Sequence, residues 1–288
     1  MAKRRQVQHV TDVFAAASEA VARELSVQDK VVLVTGGGAG LGRATASLLA
    51  RRGARMALLD VRPDRVKEAC ASLGEAALGL VADVSEPSQI QTAIDRTVDR
   101  FGRLDIMINC AGITRIDPFL EITLEQYRQS IDINLTGSFF GTQLAARQMI
   151  KQAPGRQPGE LIGRIINVTS PSAEANSDHQ MVYSMTKAAV NRLTGGAAAA
   201  LYERHGICVS AIKPYAVPSP MLEGIFSRRE ELFGLPAGDP ARARARQLVR
   251  GRFEPLESHA EVLAWMCAAP PEVINGRYVT STPHTAPL

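Results

Sequence analysis

The chain has little of what an exported, metal-binding or membrane protein needs. It holds four cysteines, Cys70, Cys110, Cys208 and Cys267, scattered with no Cys-x-x-Cys pair and no histidine cluster beside them. That pattern offers neither a disulfide framework nor a metal site, and it predicts reduced, packed thiols in a cytoplasmic protein. No apolar run approaches the roughly 18 residues of a membrane helix, and no stretch has the layout of a secretory signal. The charge is mild, a formal +4 with a pI near 9.0, and no nucleic-acid motif accompanies it. What is present is ordinary for a soluble protein: 288 residues, 45% hydrophobic and 22% charged, enough for a single α/β domain with an ample core.

Val31-Val32-Leu33-Val34 is an apolar run without alternation, as a strand buried on both faces requires. Thr35-Gly36-Gly37-Gly38-Ala39-Gly40-Leu41-Gly42 follows directly and opens a helix to about Arg52. Glycines let a backbone approach a pyrophosphate, and a helix start offers free N–H groups with a positive dipole end, so this is read as a nucleotide loop. Met56 to Asp60 forms the second strand, ending in an acid about 20 residues beyond the loop, where a carboxylate accepts from both adenosine ribose hydroxyls and repels a 2′-phosphate. NAD is therefore expected over NADP, although Arg62 stands close by, and Asp60 could instead cap the next helix.

Tyr183 and Lys187 lie one turn apart in a segment, Met181 to Arg204, that reads as helix because small and straight-chain residues dominate and no proline interrupts. A lysine held beside a phenol lowers its pKa from about 10, which makes Tyr183 a candidate acid/base. Upstream, Gly163 to Ser170 reads as a buried strand with a hydroxyl at its tip, where open α/β sheets bind small molecules.

These motifs together resemble the short-chain dehydrogenase/reductase family, from roughly Lys30 to Ser219. The resemblance implies a Rossmann-like α/β fold, a doubly wound parallel sheet of about seven strands in the order 3-2-1-4-5-6-7 with helices on both faces. It implies hydride transfer between NAD(H) and a secondary alcohol/ketone pair. Ser170 would orient the oxygen, Tyr183 exchange its proton, Lys187 bind the nicotinamide ribose, and Asn134 feed a proton relay from a distorted helix. Gly36, Gly40 and Gly42 occupy the motif positions, with Gly38 and Leu41 between them. Asp83 and Val84, after the strand Ala77–Ala82, would cup the adenine. Asn109-Cys110-Ala111-Gly112 follows the strand Leu104–Ile108 and is close to the family's Asn-Asn-Ala-Gly. There Asn109, Ala111 and Gly112 would border the cofactor and Cys110 departs; no histidine follows nearby to make it a nucleophile. Pro214, Val217 and Ser219, after the strand Ile207–Ile212, would hold the nicotinamide side, and Tyr215 stands where relatives have glycine. Ser172, Glu174, His179 and Tyr215 are the candidate substrate contacts, an aromatic wall in the case of Tyr215.

The remaining segments give coarser expectations. Residues 1–28 form an extension, Val10, Val13, Phe14, Ala17, Val21 and Leu25 making one apolar helical face for the body or a neighbouring subunit. A transit peptide is the other reading, opposed by Asp12, Glu19 and Glu24. Residues 29–288 form the domain, helices are expected over Pro87–Phe101, Thr123–Ile150 and Glu257–Ala268, and the last strand over Val273–Thr280. Residues 219–252 match a substrate lid rich in arginine, from Arg228 and Arg229 to Arg252, either solvated or facing an acidic substrate. The expected partners are an alcohol or ketone substrate and further copies of the chain, a tetramer or dimer. The altered Pro-Tyr segment and C-terminus leave a rival class, a non-catalytic dinucleotide-binding scaffold or redox sensor. Reduction of a carbon–carbon double bond is a further alternative that Ser170 argues against.

Overall fold

The computed structural model describes residues 26–175, 179–215, 217, 219–232, 234, 239 and 255–281. The expected N-terminal helix, most of the arginine-rich stretch and the chain after Ser281 lie outside them. Seven parallel strands form one sheet in the order β3-β2-β1-β4-β5-β6-β7. They are β1 Val31–Thr35, β2 Arg55–Asp60, β3 Ala77–Val81, β4 Ile106–Asn109, β5 Gly163–Val168, β6 Ile207–Pro214 and β7 Tyr278–Ser281. Between them run α1 Gly40–Arg51, α2 Pro63–Ala71, α3 Pro87–Phe101, α4 Leu124–Ile131, α5 Gly137–Lys151, α6 Met181–His205, α7 Pro220–Leu232, α8 Leu256–Met266 and α9 Pro271–Ile274.

The unalternated apolar strands follow from burial on both faces. Val32, Val34, Met56, Leu58, Ile106 and Ile108 pack against Leu41, Leu49, Leu263 and Met266. Their neighbours Leu33, Ala57, Leu59 and Met107 pack the other way against Ile90, Ile94, Leu144 and Met149. Local chemistry sets the ends of the helices. Thr123 caps α4 reciprocally with Gln126, and Gly102 and Gly206 close α3 and α6 in left-handed turns. Register then aligns the strand tips: Thr35 pairs with Asn109, and Asn109 with Asn167.

Two expected elements differ. The single helix over Thr123–Ile150 is two, joined by a π-helical turn at Asp132–Thr136 in which Gly137 N–H reaches Asp132 O. Gly137 fits there because a Cβ would meet Val84 Cγ2 at 3.0 Å. The strand expected from Val273 begins at Tyr278. Val273 and Ile274 belong to α9, which Pro271 starts and the left-handed Gly276 (φ 69°) turns into the strand.

Candidate active site

The glycine turn sits at the tips of β1 and β4. Gly36 and Gly40 hold φ values of 67° and 51°, a region that L side chains rarely enter. A Cβ on Gly36 would stand 3.0 Å from Ala111 backbone atoms, and one on Gly42 only 2.3 Å from Gly36 O. Thr35 Oγ1 ties the turn to the neighbouring strand by accepting from Cys110 N–H at 3.0 Å and Ala111 N–H at 3.1 Å. At the start of α1 no side chain caps the first amides and no acid occupies the first turn. Free donors at a positive dipole end suit a pyrophosphate, so the cradle fits a dinucleotide. Asp60 is nearly buried at the end of β2, accepting from Gly38 N–H at 3.2 Å and Arg62 N–H at 3.0 Å. It thus braces the glycine turn and steadies the start of α2, and each oxygen keeps a lone pair for a ribose hydroxyl.

On the far side of the tips, Ser170 follows β5 and caps the short 3₁₀ turn Pro171–Glu174, accepting from Ser172 N–H at 3.1 Å. That leaves its proton free for the Tyr183 phenol, on which Ser170 acts as a neighbour that lowers its pKa. Lys187 is buried one turn along α6, where its Nζ donates to Val168 O at 2.8 Å and lies 5.7 Å from the centre of the Tyr183 ring. Fully buried Asn134 stands in the π turn; its Oδ1 accepts from Ile113 N–H at 2.8 Å while its Nδ2 donates to Ile113 O at 2.8 Å and Thr186 Oγ1 at 3.2 Å. A Cβ on Gly112 would fall 3.2 Å from Asn134 Oδ1 and 3.6 Å from Lys187 Nζ, so this glycine lies close against both side chains.

The electrostatics correct one expectation. Burial pushes the Tyr183 phenol up, against the lowering effect of Ser170, and pulls the Lys187 ammonium down to about 8. The expected lowering by the lysine is therefore not the dominant effect on the phenol: desolvation is the largest cause and raises it. Burial likewise pushes the Cys110 thiol up to about 11 despite Lys187 nearby, consistent with a packing role for this cysteine.

A family model described as short chain dehydrogenase matches residues 30–230. The chain belongs to the short-chain dehydrogenase family. It is 34% identical to sorbitol dehydrogenase of Cereibacter sphaeroides, across 76% of this chain and 82% of that one. It is 32% identical to galactitol 2-dehydrogenase of Agrobacterium fabrum, across 80% and 86%. A crystal structure of levodione reductase superposes with a TM-score of 0.78 at 30% identity, covering 88% of this chain and 96% of that one. The family binds nicotinamide dinucleotides, and the sheet order found here is that of its fold.

Within this short-chain dehydrogenase the other sequence candidates fall into two groups. Ser219 is at the cleft: its Cβ is 3.7 Å from where a Gly40 Cβ would be, and its Oγ accepts from Leu222 N–H at 3.3 Å, capping α7. Val217 packs partly into the core beside it, and Pro214 ends β6 opposite Ser281. Val84 is buried under the π turn. The side chain of Asp83, by contrast, turns back on its own loop, accepting from Ser85 N–H at 2.9 Å and Ser85 Oγ at 2.8 Å. Asn109 points into the protein, donating to Asn167 Oδ1 at 2.8 Å and Thr142 Oγ1 at 3.2 Å, so only its backbone can face a cofactor. Glu174 is ion-paired with Lys213, and His179 O accepts from Asp117 N–H at 3.1 Å. Tyr215 is half-exposed beyond β6, its N–H donating to Ser281 O at 3.2 Å.

Sequence reasoning missed Lys213, buried at the end of β6 with Nζ 4.8 Å from the Tyr278 ring centre. A lone charge ending an apolar strand was the available signal. It also missed the buried Asn109–Asn167–Thr194 chain, in which Asn167 Nδ2 donates to Thr194 Oγ1 at 3.0 Å. Among the described residues no cluster of three metal-ligating side chains occurs, and no helix is long and apolar enough to cross a membrane.

Proposed function

We propose that the chain is an NAD-dependent dehydrogenase that interconverts a polyhydroxylated secondary alcohol and its ketone. The observation that carries this is the gathering of Ser170, Tyr183 and Lys187, with Lys187 Nζ 5.7 Å from the Tyr183 ring centre, at the same sheet edge as the glycine turn. Ser170 orients the substrate oxygen and Tyr183 takes or returns its proton. Lys187 binds the ribose, and Asn134 fixes Ile113 and Thr186 around the path by which the proton leaves. When bound, the oxidised nicotinamide accepts the hydride and brings a positive charge that favours the phenolate. Asp60 supports NAD over NADP by its charge at the ribose end. The polyol class rests on the sorbitol and galactitol dehydrogenases among the relatives.

Glu174 and Tyr215 are assigned to the substrate rim. We infer also a homo-oligomer, since Phe139 on α5 and Met185 on α6 leave apolar surface exposed, and a cytoplasmic location, which the four free cysteines favour. Light scattering on the purified protein tests the assembly. The function is tested by NADH formation with a panel of polyols and simple alcohols, using Tyr183→Phe as control. Wild-type turnover that falls at least about 100-fold in the variant, with NADH binding kept, is expected. A wild-type protein that binds NADH and oxidises none of them would be a scaffold.

A further inference from the structure

Helix α7 spans the mouth of the cleft. It starts at Ser219, against the glycine turn, and its far half reaches the opposite wall. There Arg228 Nε donates to Ile116 O at 3.2 Å and Arg228 Nη2 meets Asp117 Oδ1 at 3.2 Å, while Arg229 Nη2 donates to Gln180 Oε1 at 3.4 Å. Ile116 and Asp117 lie in the segment that leaves β4, and Gln180 immediately precedes the helix that carries Tyr183. A ligand reaching from the glycine turn to Tyr183 therefore lies beneath this strap.

The anchor on the opposite wall is itself built. Asp117 is 13% exposed at its side chain, accepts from Gln126 Nε2 at 3.4 Å through its second oxygen, and holds the segment before α6 by donating its N–H to His179 O. Arg228 also pairs with Glu231 on its own helix at 3.2 Å. That pair alone would be an ordinary helix-surface contact worth little. The additional acceptors on a separate segment join two parts of the fold that are distant in sequence, in a partly desolvated, charge-assisted set. The sequence pattern placed Arg228 among solvated or substrate-facing arginines; its donors are already taken up by protein.

We propose that Arg228 is a positioning residue, the latch that keeps α7 closed over the cleft through Asp117 and Ile116, and that opening this latch sets the rate at which cofactor and product leave. The proposal rests on the reading of the cleft as a dinucleotide and alcohol site. Lid opening limits turnover in many enzymes, so a weakened latch shows in release and in KM before it shows in chemistry.

The test is stopped-flow release of NADH, with steady-state kinetics on the best polyol, for wild type, Arg228→Gln, Asp117→Asn and the double variant. Arg228→Gln is expected to speed NADH release at least about fivefold and raise the KM for the polyol, with kcat equal or higher. Asp117→Asn should do much the same, and the double variant little more than either, as a shared contact requires. Raised salt should speed release from wild type more than from Arg228→Gln. Should Arg228→Gln fail to fold, Arg228→Lys keeps the charge but loses the forked geometry and should fall between. Unchanged release from either variant, strictly additive effects, or a loss of kcat that tracks a loss of folded protein would overturn the latch while leaving the site intact. If wild type bound no NADH, the site reading would fall and the latch with it.

Discussion

Lys187 Nζ lies 5.7 Å from the centre of the Tyr183 ring and donates to Val168 O, so a cation and a phenol share one desolvated corner of the sheet edge. Burial moves both toward neutrality, the lysine down to about 8 and the tyrosine up. A site of this kind gives up stability for chemistry.

Lys187→Met should therefore stabilise the protein while abolishing turnover. The depressed pKa, from 10.5 to about 8, corresponds to a burial penalty on the order of 3 kcal/mol, offset in part by the bond to Val168 O. A net gain of about 1–2 kcal/mol is expected. The sign fixes the pH window: the folded chain resists the charged form, so the penalty is full below pH about 8 and is relieved between about 8 and 10.5. Denaturant unfolding of both proteins at pH 7 and pH 10 checks this. A variant less stable at pH 7, or a difference that grows with pH, contradicts it.

Asn134 has the opposite balance. Its amide satisfies both backbone groups of Ile113 and reaches Thr186, with no exposure to solvent. Asn134→Ala should cost about 2–4 kcal/mol by leaving those groups unpaired, and should also lower kcat. Chemical denaturation beside initial rates separates the two effects. A purely structural role would lose activity only in proportion to unfolded protein.

Much of this arrangement was legible because backbone chemistry leaves marks in sequence. The unalternated strands, the Pro and Gly that bound α3, and the glycine turn each encode a local constraint, and all appear where expected. What was not legible depended on pairs distant in the chain. Whether Asn109 faces a cofactor or Asn167 is decided by Gly141, which leaves room for its amide: a Cβ there would be 2.1 Å from Asn109 Oδ1. The balance between charge and burial at Tyr183 likewise needs the packed site, since spacing gives the neighbour but not the desolvation. Val273 and Ile274 misled because their apolar character suits a strand or a short helix equally, and Pro271 decided between them.

Asp60 links cofactor choice to the shape of the glycine turn, since its carboxylate also accepts from Gly38 N–H. Asp60→Ala should raise the KM for NAD at least about tenfold and narrow its advantage over NADP. Asp60→Asn keeps an acceptor for the turn and removes the charge, so it should narrow the preference with a smaller loss toward NAD. The ratio of kcat/KM for the two cofactors is the readout. Wild type that prefers NADP would refute the assignment.

Tyr215 offers the cleanest separation of substrate from cofactor effects. Its N–H bonds Ser281 O through the backbone, so Tyr215→Gly removes the ring while leaving that link available. The added freedom costs about 1 kcal/mol or less of stability. If the half-exposed ring forms a wall of the substrate pocket, kcat/KM should change by about tenfold and differently for small and large alcohols, with the KM for NAD unmoved. Equal kcat/KM for every substrate would show that the ring turns outward and that the rim is formed without it.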